Sequence, residues 1–174
     1  MKYAILGSGN VGTSITRAVT AAGHDTVVAD VDESALAALA DAVPAATTTT
    51  DTGHAVAEAD VVVLAVPFDV VEDVVAAHAA ALADTVVIDA TNPLAADLSG
   101  LATDSGPAGA QRVQAAAPHA RVVKAFNTVF AGNQAAARVD DVQLDGFVAG
   151  DDADAKQVAT DLLEHVGYRV IDVG

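Results

Sequence analysis

Short apolar runs alternate along this chain with longer segments whose apolar residues recur at helical spacing, the pattern of βαβ units around a parallel sheet. Residues 3–6, 26–29, 45–48, 60–66 and 85–90 read as five strands, and 121–125, 142–149 and 169–173 as three more. Helices are predicted over 11–22, 33–42, 68–82 and 152–165, the last opened by Asp151 or Asp152 as a cap and closed by Gly167. The strongest runs are apolar throughout, as strands covered on both faces must be. The expectation is an α/β fold with a doubly wound, mostly parallel sheet, in one domain over residues 1–174. A loop over 94–109, where Asp, Ser, Gly and Pro break the period, follows the fifth strand. It belongs on the ligand side, beyond the carboxyl ends of the strands.

The first strand runs directly into Gly7-Ser8-Gly9-Asn10-Val11-Gly12 and then into a predicted helix. That is the G-x-G-x-x-G arrangement in its strand-turn-helix context, the fingerprint of the Rossmann dinucleotide-binding domain. Gly7 allows the tight turn, Gly9 lets the backbone approach a pyrophosphate, and Gly12 allows close helix packing. The free N–H groups and dipole of the helix then bind phosphate without a cationic side chain. Gly7, Ser8, Gly9, Asn10, Val11 and Gly12 are therefore candidate cofactor-binding residues, with NAD(P) the cofactor.

Asp30 stands at the end of the second strand, where its carboxylate can accept hydrogen bonds from ribose hydroxyls and would repel a phosphate on the 2′ oxygen. No Arg or Lys occurs between Arg17 and Arg112 to receive such a phosphate. NAD is favoured over NADP on these grounds. Capping the helix that begins near Glu33 is a compatible second role for Asp30. Val66 and Pro67, directly after the fourth strand, are candidate apolar walls beside a nicotinamide ring, although Pro also suits a helix start without further purpose.

The composition narrows the class. At 174 residues, 52 % apolar but with only four Phe, two Tyr and no Trp, the chain suits one domain whose core is built from Ala, Val and Leu. It carries 24 acidic residues, four of them Glu, against eight Lys plus Arg, for a formal charge of −16. Such a surface repels phosphate backbones and anionic lipid, so neither nucleic acid nor a membrane is an expected partner. Abundant Asp with few Lys resembles haloarchaeal, halophilic surfaces. The absence of cysteine excludes disulfides, thiolate nucleophiles and cysteine-based metal sites. The first apolar run is too short for a signal peptide and no run reaches membrane-spanning length, which makes a cytoplasmic protein the expectation. The five histidines show no metal-ligand spacing on a predicted helix, and no metal site is expected.

Further along stand Ala65-Val66-Pro67, Thr91-Asn92-Pro93, Lys124-Ala125-Phe126-Asn127 and Gly150-Asp151-Asp152. In this order, after the glycine turn, they make the sequence similar to the NADP oxidoreductases dependent on coenzyme F420, a 5-deazaflavin. The resemblance runs through nearly the whole chain. It implies hydride transfer between the nicotinamide and the deazaflavin, a small-molecule redox acceptor, with no acid or base supplied by the protein and hence no catalytic side chain. It further implies that Asn92 lies near the nicotinamide ribose and that Asn127 and Thr128 border the second substrate. For each Asn, satisfying the backbone of its own turn is an equal alternative. The sequence departs from the family twice. Asp30 and Val31 stand where the family has Ser and Arg for the 2′-phosphate, and the family continues past residues 171–174 into a helical segment, so a further segment after Gly174, or a reduced second-substrate site, is expected. Two other readings stay open: a non-catalytic dinucleotide-sensing module, and the cofactor half of a small-molecule dehydrogenase or imine reductase. The short chain and open cleft make a homodimer the expected assembly.

Overall fold

Alternate residues of the central strands bury toward opposite faces, which explains why the runs are apolar throughout. In the computed structural model, which describes residues 1–95, 97, 99–103 and 106–174, the chain opens with β1 (Lys2–Leu6), α1 (Asn10–Ala21), β2 (Asp25–Ala29), α2 (Glu33–Ala42) and β3 (Thr47–Thr49). There follow α3 (Thr52–Ala57), β4 (Val61–Leu64), α4 (Phe68–Ala77), β5 (Val86–Asp89), α5 (Gly109–Ala116) and β6 (Arg121–Lys124). The last part holds α6 (Ala131–Gln134), β7 (Arg138–Val139), β8 (Val142–Gln143), β9 (Asp145–Val148), α7 (Ala153–Val166) and β10 (Arg169–Asp172).

Six strands pair in parallel in the order β3-β2-β1-β4-β5-β6. Tyr3, Ile5, Val61 and Val63 face one core, completed by Ile15 and Val19 of α1 and Leu162 and Leu163 of α7. Ala4, Leu6, Val62 and Leu64 face the other, completed by Val71 and Val75 of α4 and Val113 of α5. This is a single Rossmann-type α/β domain. The order reverses between β1 and β4, so the loops leaving them diverge and open a crevice at the carboxyl edge.

Several expected bounds are corrected. The strand expected over 142–149 is two: β8 pairs antiparallel with β7, and β9 pairs parallel with β10. Between them the Leu144 N–H turns to the Ala137 carbonyl at 2.8 Å. The β9–β10 pair meets the main sheet through an antiparallel bridge from Ala149 to Lys124. The helix expected over 68–82 ends at Ala77, where His78 closes it, and the fourth strand keeps only Val61–Leu64 of 60–66. α3, α5, α6 and β7 were not expected. α5 begins at the end of the 94–109 loop, of which residues 96, 98, 104 and 105 lie outside the described residues. As expected, α7 opens on Asp152, whose carboxylate accepts the Ala155 N–H at 2.8 Å, and closes on Gly167 at φ +110°. Among the described residues, no helix is long and apolar enough to cross a membrane.

Candidate functional site

Gly7 ends β1 with φ +108°, and its N–H reaches back to the Ala29 carbonyl at 2.9 Å. A Cβ there would meet the Ala65 carbonyl oxygen at 2.5 Å, and one at Gly12 would collide with the carbonyl oxygen of Gly7. The turn is thus folded on itself and pressed against the end of β4. Gly9 differs, because a Cβ there would meet nothing within 4 Å. The open space at Gly9 lies where a ligand would approach the backbone. α1 starts from Gly9 with no side-chain cap and no acid in its first turn, so its leading N–H groups remain available to an anion.

Asp30 lies beside this turn and is held by it. Its Oδ2 accepts both the Ser8 N–H at 2.7 Å and the Ser8 hydroxyl at 2.6 Å, and its Oδ1 accepts the Asp32 N–H at 3.1 Å. Partial burial works to raise its pKa, but the hydrogen bonds from the Ser8 hydroxyl and from the backbone of Asp32, Ser8 and Val31 outweigh that and hold it below the usual carboxylate range. The group is therefore an anion at neutral pH, with lone pairs on Oδ1 still open to a hydroxyl donor. It does not cap α2. That task falls to Asp32, whose Oδ1 takes the N–H groups of Ser34 and Ala35 at 2.9 and 3.1 Å.

From the turn a cleft of about 720 Å³ runs between α2 and α4, lined by Gly7, Ser8, Gly9, Asn10, Val11 and Asp30 and walled by Val66 and Pro67. Val31, Ala35, Val70 and Val74 complete its apolar sides, and Thr52 contributes from α3. Sequence reasoning missed these five. The signal for two of them was there, since Val70 and Val74 stand four residues apart in a predicted helix and so share a face. Val31 is 87 % exposed, a large apolar side chain on the rim of the cleft. Facing apolar walls suit a flat base, and Asp30 suits the hydroxyls of its sugar. Among the described residues, no Lys, Arg or His lines the cleft.

Asn92, Asn127 and Thr128 do not line it. They follow the next two strand ends, β5 and β6, where the Asn92 amide donates to the Asn127 carbonyl at 2.9 Å and the Asn127 amide donates to Asn92 Oδ1 at 3.2 Å. Beneath this pair is an ion pair to which sequence reasoning gave no role. Asp89 is 0 % exposed and accepts the Thr91 N–H and hydroxyl at 2.9 and 2.7 Å and the Lys124 ammonium at 2.8 Å. Lys124 also donates to the Thr91 carbonyl, so one cation fixes the turn that carries Asn92. A separate cavity of about 660 Å³ opens at the amino edge of the sheet, among Lys2, His24, Asp25 and His54. None of the glycine-turn residues, nor Asp30, Val66 or Pro67, lines it.

The family model of coenzyme F420-dependent NADP oxidoreductases matches residues 2–93. No curated protein matches the chain. Among solved structures, an Arthrobacter sp. FB24 protein named as an F420-dependent NADP reductase is 28 % identical with a TM-score of 0.87, and the whole of this chain covers 85 % of it. A hypothetical protein from Sinorhizobium meliloti is also 28 % identical, with a TM-score of 0.84 and the same coverage. The 3-hydroxyisobutyrate dehydrogenase of Mycobacterium tuberculosis, 24 % identical with a TM-score of 0.77, is covered over 54 % of its length. That last likeness is one of fold alone. The family match takes in more than half of the chain, including the glycine turn, Asp30, Val66, Pro67 and Asn92. The chain therefore belongs to the NADP oxidoreductase family dependent on coenzyme F420, and is an NAD(P)-dependent oxidoreductase.

Proposed function

We propose that this enzyme moves a hydride between a nicotinamide dinucleotide, NAD in preference to NADP, and a small acceptor of the deazaflavin type, such as coenzyme F420. The observation that carries the reading is the cleft that joins an uncapped helix start to an ionised Asp30, with no cationic residue among the described residues that line it. A pyrophosphate fits the first feature and a free ribose the second, whereas a 2′-phosphate would meet negative charge with nothing to neutralise it. The glycine turn and Asp30 would hold the dinucleotide, which when bound would supply a hydride with its two electrons, and the proton that completes the reduced acceptor would come from solvent. No acid or base is required of the chain. Its contribution is to hold two rings in register and to exclude water. The amide pair of Asn92 and Asn127 follows the ends of β5 and β6, on the far side of β4 from the glycine turn, where the acceptor would enter. The Arthrobacter protein's name supports the choice of acceptor.

Paired titrations with NADH and NADPH, in low and in high salt, test the cofactor half. NADH is expected to bind more tightly, with the gap narrowing as salt screens Asp30. Equal or tighter binding of NADPH overturns the reading of Asp30. Mixing the NADH-loaded protein with a deazaflavin and following the visible absorbance tests the other half, which fails if no change occurs.

A further inference from the structure

We infer that Gln134 is a positioning residue for the acceptor side of the site, acting through the turn that carries Asn127 and Thr128. The inference rests on the hydride-transfer reading above. That turn follows β6 and starts at Phe126, which is buried yet has φ +64°. A residue with a Cβ enters this left-handed region only where its surroundings impose it. The regular ladder has ended here, so the carbonyl groups of the turn must find other donors. The Phe126 carbonyl receives one long backbone bond, from the Val129 N–H at 3.4 Å, and the Phe130 carbonyl receives the Asn133 N–H at 2.9 Å. The other donors among the described residues are side chains. Gln134 Nε2 donates to the Phe126 carbonyl at 3.0 Å and to the Val129 carbonyl at 3.1 Å. Asn92 serves the Asn127 carbonyl at 2.9 Å, and the Ser14 hydroxyl serves that of Ala131 at 2.6 Å.

Gln134 is 1 % exposed, and its Oε1 has no hydrogen-bond partner among the described residues. Turning the amide over would set that oxygen against two carbonyl oxygens, so the orientation is dictated by chemistry. A buried amide with an orphaned oxygen carries a penalty that Leu or Met in the same space would not. What the amide provides in return is the pair of donations that hold Phe126 and Val129. The support is itself supported. The Tyr168 hydroxyl donates to the Gln134 carbonyl at 2.8 Å, and the Tyr168 ring meets Phe126 edge-on at 6.1 Å. Burial pushes the Tyr168 pKa up to about 12, so this donor keeps its proton throughout the working range. Gln134 thus reaches no ligand itself but sets the geometry of the residues that would.

The test compares Gln134→Met with the unaltered enzyme in three measurements: NADH affinity, kcat/KM for the deazaflavin, and amide hydrogen exchange over residues 126–131. The expected result is a loss of about tenfold in kcat/KM, NADH affinity unchanged within about twofold because the glycine turn is untouched, and faster exchange confined to the turn. Unchanged exchange in the turn, or unchanged kcat/KM beside a lower melting temperature, overturns the inference. Should the unaltered protein reduce no deazaflavin, the proposed function fails, and the exchange measurement alone decides whether Gln134 holds the turn. Gln134→Glu gives a second reading if the Met variant does not fold. A buried Glu donates only while protonated, so its kcat/KM, or its turn protection, should fall as pH rises. A pH profile parallel to that of the unaltered enzyme overturns the role.

Discussion

A methyl group added at Gly12 would run into the Gly7 carbonyl oxygen, whereas one added at Gly9 would meet nothing within 4 Å. The two substitutions should therefore separate folding from binding. Gly12→Ala is expected to cost about 1–3 kcal/mol of stability through overpacking and to lose NADH binding with it. Gly9→Ala should leave the melting temperature nearly unchanged while weakening NADH about tenfold or more, because the backbone can no longer come close to a phosphate. Thermal melts beside NADH fluorescence titrations check both, and an unchanged NADH affinity in Gly9→Ala would refute the assignment of the turn. The Asp30 carboxyl is held below its ordinary range in the folded protein. Its stabilising contribution is thus complete above about pH 4 and is lost as pH falls toward the depressed folded value. Acid titration of stability should show a step that Asp30→Asn lacks. The glycines and Asp30 were legible because the fingerprint is local in sequence. The bond from Ser8 to Asp30 spans 22 residues, and nothing in the pattern of either segment announces it.

At the scale of elements, the same distinction separates what was legible from what was not. α1, β2, α2 and α7 carry their own signals in period, cap or closing glycine. α3 has six residues and an internal Gly53, and α6 has four residues, too few turns for a helical period to show. α5 lacks a capping side chain at Ala108 and instead uses Gln111, whose Oε1 accepts the Ala108 N–H at 2.9 Å. The ends of β5 and β6 are joined by Asp89 and Lys124, 35 residues apart, too far along the chain for the pattern of either segment to announce the pair. Lys124 is 18 % exposed at its side chain and its partner 0 %, so this pair is largely withdrawn from water. Lys124→Met leaves a buried carboxylate uncompensated and is expected to cost about 3–5 kcal/mol in a denaturant melt. Adding Asp89→Asn should return part of that loss. If the double variant is no more stable than the single one, the carboxylate is not the source of the penalty.

For the whole molecule the deciding quantity is charge. Six ion pairs among the described residues engage six of the eight Lys and Arg, while 24 acids share them. Cations are therefore nearly used up and most carboxylates repel one another. Raising KCl from about 0.1 M to about 2 M shortens the screening length from about 10 Å to under about 3 Å and should raise the melting temperature. A fall would mean that the exposed pairs, which salt weakens, outweigh the repulsion. The parallel, doubly wound sheet was legible because strands and helices alternate in sequence. The placement of β9 and β10 was not, since it depends on the chain turning at Leu144 toward Ala137, which itself has φ +50°, and no local pattern specifies that turn.

Asp30 holds the Ser8 segment of the glycine turn and, under the proposed function, would also hold the ribose, and this constrains how the enzyme could change its coenzyme. Replacing Asp30 with a residue tolerant of a 2′-phosphate strands the Ser8 N–H and hydroxyl and loosens the turn that every dinucleotide requires. A mutational path toward NADP that alters position 30 alone thus passes through a weaker binder of both coenzymes. Redesign has to rewrite positions 8 and 30 together.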